Sequence, residues 1–505
     1  MSATVNQNIT STERWLIIIT LMSATLMQAL DTTIVNVALP HMQGALSASP
    51  DQISWTLTSY IVAAAIFMPL SGYFSDILGT KKYLLLCIGG FTFASALCGA
   101  AHSLTEMVIF RLLQGACGAG LVPLSQAILA DVHSPKDLGK AMAIWGAGIM
   151  VGPILGPTLG GYLTDIANWR WTFYVNLPVG TLAFFLALQI IPDSLKKTRP
   201  MDWLEFIYLA LAIGSLQFFL DRGNQDDWFN AISIKLALVL AVTGMICFLV
   251  RNLLGKNDHT VFNLRIFKDR NFTVSSLLML ILGAVLYGSL VIQPLLLEEL
   301  LNYPVLTAGI IMAPRGISSM FSMIIAGKII NRVDPRLIIV IGIIVSALGM
   351  YAGTYYSSDI DWWWIVWPLA LQGFGMGIIF VPLSVVAFST LPEKYRVEAA
   401  GLFSLVRTIG YSIGIAITLT LFTRYNQIEW NRLGAFLQPY NPSVMHYLQP
   451  LHLQTGDHLA AKVLANELIK QSQMVSFVEI FSFIMWCFLA MLPLIFLLKN
   501  KKSYF

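Results

Sequence analysis

The sequence predicts an all-α integral membrane protein with fourteen transmembrane helices. Only 11% of its 505 residues are charged, 56% are hydrophobic, and the mean hydropathy is +0.71. Soluble domains carry about 25% charged residues, so this composition indicates a chain that lies mostly in lipid. A helix needs about 20 apolar residues to cross the hydrocarbon core, and this length defines the spans. The predicted spans are 15–39, 53–73, 83–101, 106–128, 139–163, 171–191, 204–220, 232–253, 272–297, 306–327, 337–356, 363–388, 398–422 and 475–498.

The distribution of positive charge predicts the orientation of the chain. Most of the 31 Lys and Arg residues lie in the two terminal segments and in alternate loops between spans. Because positive residues are retained on the cytoplasmic side, both termini are expected in the cytoplasm. The first apolar run lacks a short hydrophobic region followed by a small-residue cleavage site. It is therefore expected to be a retained span and not a signal peptide.

An internal repeat predicts two related halves. Residues 113–125 read LQGACGAGLVPLS, and residues 371–384 read LQGFGMGIIFVPLS, which pairs the fourth span with the twelfth. The predicted organisation is a six-helix half over 1–200, two inserted helices over 201–260 and a second six-helix half over 261–505. Transporters built from two parallel halves bind their substrates between the halves, near the middle of the membrane.

The segment 423–474 is the one long external loop in this prediction. Long loops in compact proteins are usually functional or mobile. Two interpretations stay open for it: a solvated cap on the transporter, or a docking surface for a partner protein.

Asp31 lies inside the first span, in LDTTIVNVALP (30–40). A charge at that depth costs at least ~2.5–3.5 kcal/mol, so an ionisable residue there predicts a function. Arg111 lies in the fourth span, and a rise of about 1.5 Å per residue places the two side chains at comparable depths. A pair that opens when the carboxylate is protonated can act as a proton switch, and a static pair that holds two helices together is the alternative. We favour proton coupling, because permanent buried ion pairs contribute little to stability.

The fifth span carries small residues at four-residue intervals and two prolines, in GAGIMVGPILGPTLGG. Small residues allow close helix contact, while proline removes a backbone donor and bends a helix. The pattern predicts a hinge between packed faces, although close packing alone would explain the glycines. The residues of this motif are Gly148, Gly152, Pro153, Gly156, Pro157, Gly160 and Gly161.

The cytoplasmic loop GYFSDILGTKK (72–82) is a candidate gating loop. A carboxylate here could pair with a helix N-terminus or a basic residue and so latch the cytoplasmic side shut. A role as topology anchors explains the two lysines equally well. The candidate gating residues are Gly72, Asp76, Gly79, Lys81 and Lys82, with Asp131 at the cytoplasmic end of the fourth span.

Arg315 and Arg407 are further charges inside predicted spans, while Asp31 is the one mid-span acid that we find. This balance predicts an electropositive cavity that favours neutral or weakly acidic lipophilic compounds. Alternatively, the two arginines bond backbone carbonyls and never contact substrate. Helix packing alone could also explain each residue of the candidate path. The candidate substrate path consists of Gln28, Gln114, Trp145, Tyr287, Gln293, Met312, Arg315, Gln372 and Arg407.

Four motifs in order resemble those of the major facilitator superfamily, in its fourteen-helix drug:proton antiporter branch. They are LDTTIVNVALP, GYFSDILGTKK, RLLQGACGAG and GPILGPTLGG, and the resemblance covers essentially the whole chain. Ile77 and Thr80 depart from the loop motif, which often has basic residues at these positions. WRWTFYVNLPVG (169–180), FLDRGNQDDWF (219–229) and LRIFKDRNF (264–272) resemble the EmrB type of efflux pump within this branch.

The resemblance implies a major facilitator fold and proton-driven efflux of lipophilic drugs or toxic compounds across a Gram-negative inner membrane. It implies that Asp31 is the proton-coupling carboxylate and Arg111 its partner, with the proton as coupling ion and no cofactor. It also implies two partners: an EmrA-type periplasmic membrane-fusion adaptor and a TolC-type outer-membrane channel. A dedicated exporter of one metabolite or siderophore is the alternative. The absence of HExxH, Cys/His metal spacing and a GxxxxGK[ST] loop argues against an enzyme or an ATP-driven pump.

Overall fold

The computed structural model describes residues 10–194, 196, 200–254, 263–392 and 395–499, without the side chains of 50, 51, 135, 136 and 157. In this part of the chain, fourteen helices are long and apolar enough to cross a membrane, as predicted. They are α1 (Ser11–Ala45), α2 (Trp55–Leu78), α3 (Thr80–Ala100), α4 (Leu104–Val132), α5 (Pro135–Ile166), α6 (Trp171–Ile190), α7 (Trp203–Arg222), α8 (Ile232–Leu254), α9 (Arg270–Leu300), α10 (Val305–Ile329), α11 (Pro335–Gly353), α12 (Trp362–Ser389), α13 (Arg396–Gly434) and α14 (His458–Ile495).

Local sequence explains where several helices begin. Thr10 accepts a hydrogen bond from the backbone of Glu13, which forms a capping box at the start of α1. Ser103 and Asp202 cap α4 and α7 in the same way, through backbone N–H groups of the first turn. Gly79 separates α2 from α3 with a φ of +86°, a conformation that favours glycine.

The long external loop predicted at 423–474 is mostly helical. α13 continues to Gly434, a short helix follows at Pro442–Leu448, and α14 begins at His458. Hydropathy marks where a helix leaves the hydrocarbon core, but a polar helix can continue beyond that point. The sequence-based boundaries therefore fall short of the true helix ends here.

Fourteen crossings return the chain to the side of the membrane where it began. We call the side that holds Thr10 and Lys499 the termini face, and the side that holds the segment 435–457 the loop face. Helices α1–α6 are called the first set, and α9–α14 the last set. The division of the chain at 200 and 260 into halves and an inserted pair stays a prediction.

Two interfaces position the candidate site. α5 packs against α1 within the first set and against α10 of the last set. α7 packs against α8, α2 and α13, so the pair α7 and α8 adjoins both sets. A continuous apolar core runs through both sets, and a second cluster of buried residues surrounds Ile34, Val35 and Ala38 of α1.

Candidate functional site: a buried acid–base pair

Asp31 of α1 and Arg111 of α4 form an ion pair inside the first set. Arg111 Nη1 lies 2.5 Å from Asp31 Oδ2, and both residues have an exposed fraction of 0%. The structure thus brings together the two charges that the depth count places at similar levels. Their role in proton coupling stays a prediction.

Three neutral side chains complete the surroundings of the Asp31 carboxylate. Gln114 Nε2 and Asn176 Nδ2 both donate to Asp31 Oδ1, at 2.9 and 3.0 Å. Ser95 Oγ accepts hydrogen bonds from the same two amides, at 3.1 and 2.9 Å. The carboxylate therefore accepts from three donors, and four helices (α1, α3, α4 and α6) meet around it.

Gln114 is a predicted member of the substrate path, whereas Ser95 and Asn176 are not among the predicted site residues. Asn176 lies in the quoted segment WRWTFYVNLPVG, where an amide inside an apolar span is a usable signal. Ser95 gives no such signal, because a small hydroxyl in a membrane helix commonly bonds its own backbone.

Arg111 keeps other partners besides Asp31. Its Nε donates to the backbone oxygen of Thr56 at 3.0 Å, and Nη1 also donates to Gln114 Oε1 at 2.7 Å. Its guanidinium carbon lies 4.3 Å from the centre of the Tyr60 ring, within the range of cation–π attraction. If Asp31 became neutral, the guanidinium would still be hydrogen-bonded. When the pair opens, the guanidinium loses its counter-charge but keeps two hydrogen-bond acceptors.

The glycines of α5 set its distance from α1. A Cβ added at Gly152 would lie 2.7 Å from Ala29 Cβ, and one at Gly156 would lie 2.0 Å from Thr33 Oγ1. Thr33 Oγ1 also donates to the backbone oxygen of Gly152 at 3.2 Å. These contacts flank Asp31 along α1, so the motif holds α5 directly against the helix that carries the acid.

Two of the other three glycines of this motif contact α1, and the third contacts nothing among the described residues. Gly148 packs on Met22 and Gly160 on Ile34, whereas a Cβ at Gly161 would meet nothing within 4 Å. Pro153 and Pro157 lie inside one continuous helix, and the hinge stays a prediction. The packing explanation accounts for the glycines at four-residue spacing.

Contacts between the two sets close the termini face. Asp131 Oδ1 at the end of α4 lies 2.9 Å from Arg396 Nη1 at the start of α13. A Cβ at Gly72 would lie 3.0 Å from Glu398 Cβ, and one at Gly139 would lie 2.5 Å from Ile330 Cγ2. In this state the two sets therefore touch along α2, α4, α5, α10 and α13 at the termini face.

The other residues of the candidate gating loop lie close to this closure. Asp76 is half-buried near the end of α2, and Gly79 makes the turn into α3. Lys81 is half-buried and Lys82 exposed in the first turn of α3. Their gating role stays a prediction.

Arg315 of α10 is fixed in a second buried network. Its Nη1 donates to Gln293 Oε1 at 3.0 Å, and its Nη2 donates to Ser289 Oγ at 2.8 Å and to the backbone oxygen of Leu286 at 3.3 Å. Gln372, the repeat counterpart of Gln114, donates to the same Ser289 oxygen at 3.1 Å. Among the described residues, Arg315 pairs with no carboxylate. Its Nη2 also lies 3.8 Å from Met376 Sδ, so it bonds one carbonyl and three side chains, and it is 5% exposed.

Arg407 of α13 differs from Arg315 in its surroundings. It is half-buried, and its guanidinium carbon lies 5.8 Å from the ring centre of Tyr411. Tyr411 stacks on Tyr287 of α9, with ring centres 3.8 Å apart. Arg407 Nε is buried and has no hydrogen-bond partner within the described chain.

The residues of the candidate path divide into half-buried and fully buried side chains. Gln28 and Met312 are half-buried, and Trp145 is fully buried in the core. Gln114, Gln293 and Gln372 are buried in the two polar networks. In this state the partly exposed members are therefore Gln28, Tyr287, Met312 and Arg407.

Fourteen helices, a buried acid–base pair and two sets that touch at the termini face and along α5 and α10 are typical of a multi-pass membrane transporter. Residues 21–415 match the family model described as Major Facilitator Superfamily, and the chain belongs to this family. It is 34% identical to the Multidrug export protein EmrB of Escherichia coli (strain K12), over 95% of this chain and 94% of that protein.

Two further proteins are similar to this chain. It is 32% identical to the Fatty acid resistance protein FarB of Neisseria gonorrhoeae, over 94% of each chain. The crystal structure of the human organic anion transporter MFSD10 (TETRAN) superposes with a TM-score of 0.60 at 14% identity, over 94% of this chain and 99% of that chain. At that identity, the structural likeness supports the fold alone.

Proposed function

We propose that this protein exports lipophilic drugs and toxic compounds across the bacterial inner membrane in exchange for protons. The observation that carries the proposal is the buried Asp31–Arg111 pair, whose guanidinium has other acceptors when the carboxylate is neutral. The name of the E. coli relative supports the substrate class. None of the relatives described above is named for the export of one metabolite or siderophore, so that alternative is without support.

Protonation of Asp31 is the step that changes the packing. A proton on the carboxylate removes the charge attraction to Arg111, which keeps Thr56 and Gln114 as acceptors. α1 is then held less tightly to α4. Because α5 is locked to α1 through its glycines and also packs on α10, a movement of α1 is transmitted to the last set. Release of the proton restores the pair, and the proton is the only coupling species required.

The termini face is cytoplasmic in this proposal, as the distribution of Lys and Arg predicts. The ion pair between Asp131 and Arg396 then closes the cytoplasmic side in the state described. Opening this side to load substrate requires that pair to separate, along with the close contact between Gly72 and Glu398.

The partners in this proposal are an EmrA-type adaptor and a TolC-type channel. α13 ends at Gly434 and α14 begins at His458. The segment 435–457 between them, here called the cap, exposes Phe436, Tyr440 and Leu451. Exposed apolar side chains on a projecting cap suit a protein contact. Replacing these three residues with Ser is expected to abolish cross-linking to a co-expressed adaptor while transport in proteoliposomes persists. Unchanged cross-linking would favour the solvated cap.

The substrate class is narrowed by Arg407. A partly exposed guanidinium beside two stacked tyrosines suits a lipophilic weak acid better than a permanent cation. Arg407→Gln is therefore expected to lower the transport of weak acids and spare neutral compounds. Arg424→Gln, on the exposed end of the same helix, is the matched control. Better transport of quaternary ammonium ions than of weak acids would contradict this assignment.

The test of the proposal is efflux across a compound panel in inverted vesicles with an imposed pH gradient. The expected result is uptake of several unrelated lipophilic compounds that collapses when the gradient is dissipated. Transport of one compound only, or transport indifferent to the gradient, would overturn the proposal.

A further inference from the structure

The loop-face half of α7 is attached to α2 by two charged residues. Asp221 Oδ2 accepts a hydrogen bond from Thr58 Oγ1, and the guanidinium of Arg222 lies 5.7 Å from the ring centre of Trp55. Nearer the middle of α7, a Cβ at Gly214 would lie 3.2 Å from Ile66 Cδ1, so the two helices run close together. The contact between α7 and α2 therefore combines packing with charge-assisted bonding.

α7 and its following turn also contact α13, but through neutral groups. Ser412 Oγ donates to Gln217 Oε1 at 2.5 Å, and Trp228 Nε1 donates to Thr420 Oγ1 at 3.1 Å. Trp228 has a φ of +49°, in the left-handed region that non-glycine residues seldom adopt. Such a conformation persists only where its surroundings impose it.

The contact with α13 also leaves one buried polar atom unsatisfied. Gln217 is 1% exposed, and its Nε2 has no hydrogen-bond partner among the described residues. A buried amide N–H without an acceptor is costly. The left-handed Trp228 backbone and the unsatisfied Gln217 amide both lie where α7 contacts α13. In this state the contact of α7 with α13 is therefore less stabilising than its contact with α2.

α2 and α13 contact one another closely in the half of the membrane near the termini face. A Cβ at Gly401 would lie 3.0 Å from the backbone oxygen of Met68, and Gly72 lies against Glu398. Towards the loop face, α7 bonds to both helices instead. Near the loop face, α7 therefore lies between α2 and α13.

We infer that α7 is a strut that stabilises the state closed at the termini face, and that it stays with α2 and releases α13 during transport. The inference rests on the proposed transport function, in which the two sets rock about a central site. When the sets separate at the termini face, α2 and α13 must approach at the loop face. α7 then cannot keep its present bonds to both helices. The neutral bonds to α13 are weaker than the charge-assisted bond between Thr58 and Asp221, which the cation–π contact of Arg222 with Trp55 supplements. The contact between α7 and α13 is therefore the one that opens.

The strut is also connected to the acid–base pair. The backbone oxygen of Thr56 accepts from Arg111 Nε, and Thr58, two residues along α2, bonds to Asp221. One short segment of α2 therefore contacts both the Arg111 guanidinium and α7. This segment provides a direct path by which opening of the pair loosens the strut. It also assigns a role to FLDRGNQDDWF (219–229), which supplies Asp221, Arg222 and Trp228.

Disulfide cross-linking tests which of these two contacts opens. In the full chain with its five native cysteines replaced, one variant carries Gln217→Cys and Ser412→Cys, which joins α7 to α13. The matched control carries Gly214→Cys and Val62→Cys, which joins α7 to α2. The native Gln217 and Ser412 side chains are hydrogen-bonded, and a Cβ at Gly214 would lie 3.8 Å from Val62 Cγ1. Each variant is reconstituted in proteoliposomes, oxidised and then reduced with dithiothreitol, and pH-driven transport is measured at each stage.

The α7–α13 cross-link is expected to abolish transport until it is reduced, while the α7–α2 cross-link leaves transport within about twofold of the reduced protein. Full transport with α7 joined to α13, or loss of transport only with α7 joined to α2, would overturn the inference.

A second readout does not depend on substrate. Ser71→Cys, at a residue with an exposed fraction of 0% near the termini face, reports opening of that face by maleimide labelling. The α7–α13 cross-link should suppress labelling, and the α7–α2 cross-link should permit it. If no substrate is transported, the proposed function fails while labelling still tests the strut.

Two single substitutions compare the two contacts of α7 in the chain with its native cysteines. Thr58→Val should lower transport about tenfold, and Ser412→Ala should leave it within about twofold. Equal effects of the two substitutions on transport would contradict the strut.

Discussion

Gly156→Ala tests whether the glycines of α5 serve as contact points against the helix that carries Asp31. The added Cβ would lie 2.0 Å from Thr33 Oγ1 and 2.7 Å from Thr33 Cβ, against about 3.4–4 Å in ordinary contact. Either α5 or α1 must therefore move by about 1 Å, because Thr33 also bonds to Gly152 and cannot turn away freely. Overpacking of this kind costs about 1–3 kcal/mol, which equals or exceeds the gain of about 1 kcal/mol for replacing a helical glycine with alanine.

Gly161→Ala is the matched control, since a Cβ there meets nothing within 4 Å. The assay is thermal unfolding of the purified protein together with pH-driven transport. Gly156→Ala should unfold at a lower temperature and transport poorly, and Gly161→Ala should match or exceed the parent in stability. Adding Thr33→Gly to Gly156→Ala removes both clashing atoms and should restore much of the loss. Equal behaviour of the two alanine variants would refute the packing argument and favour a hinge role for the motif.

Two further predictions concern the two ion pairs. Arg111→Lys keeps the charge but loses the planar group that reaches Asp31, Gln114 and Thr56 together. Its pH-driven efflux should therefore fall, though less than that of Arg111→Gln. An Arg111→Lys variant as inactive as Arg111→Gln would show that charge alone does not sustain coupling. Asp131→Arg and Arg396→Asp should each increase maleimide labelling of Ser71→Cys, and the double exchange should reduce it again, because the ion pair across the termini face is rebuilt with its charges swapped. Additive effects in the double variant would exclude a direct pair.

The helix count and the family could be predicted because each rests on local patterns. Long apolar runs mark the spans, and the count of fourteen is confirmed even at the short span predicted over 204–220. Asp31 and Arg111 were identifiable because charges are rare in membrane spans, and their depths follow from the helical rise alone. The family follows from the order of the motifs and is confirmed by the match over residues 21–415.

Other features could not be read from the sequence because they depend on which helices become neighbours. Ser95 contributes to the Asp31 network only because α3 passes beside α4 and α6. The segment at 423–474 reads as a loop by hydropathy, although α13 and α14 continue into it. Asp221 lies near a span end and does not stand out as an intramembrane acid, yet it ties α7 to α2.

Substrate-induced proton release in proteoliposomes tests the central claim most directly. Wild-type protein is compared with Asp31→Asn, and Asp457→Asn, an exposed acid at the start of α14, serves as the matched control. Binding of a transported compound should release protons from wild type and from Asp457→Asn, whereas Asp31→Asn should bind the compound and release none. Proton release at wild-type levels by Asp31→Asn, with full pH-driven efflux, would show that coupling resides elsewhere in the chain.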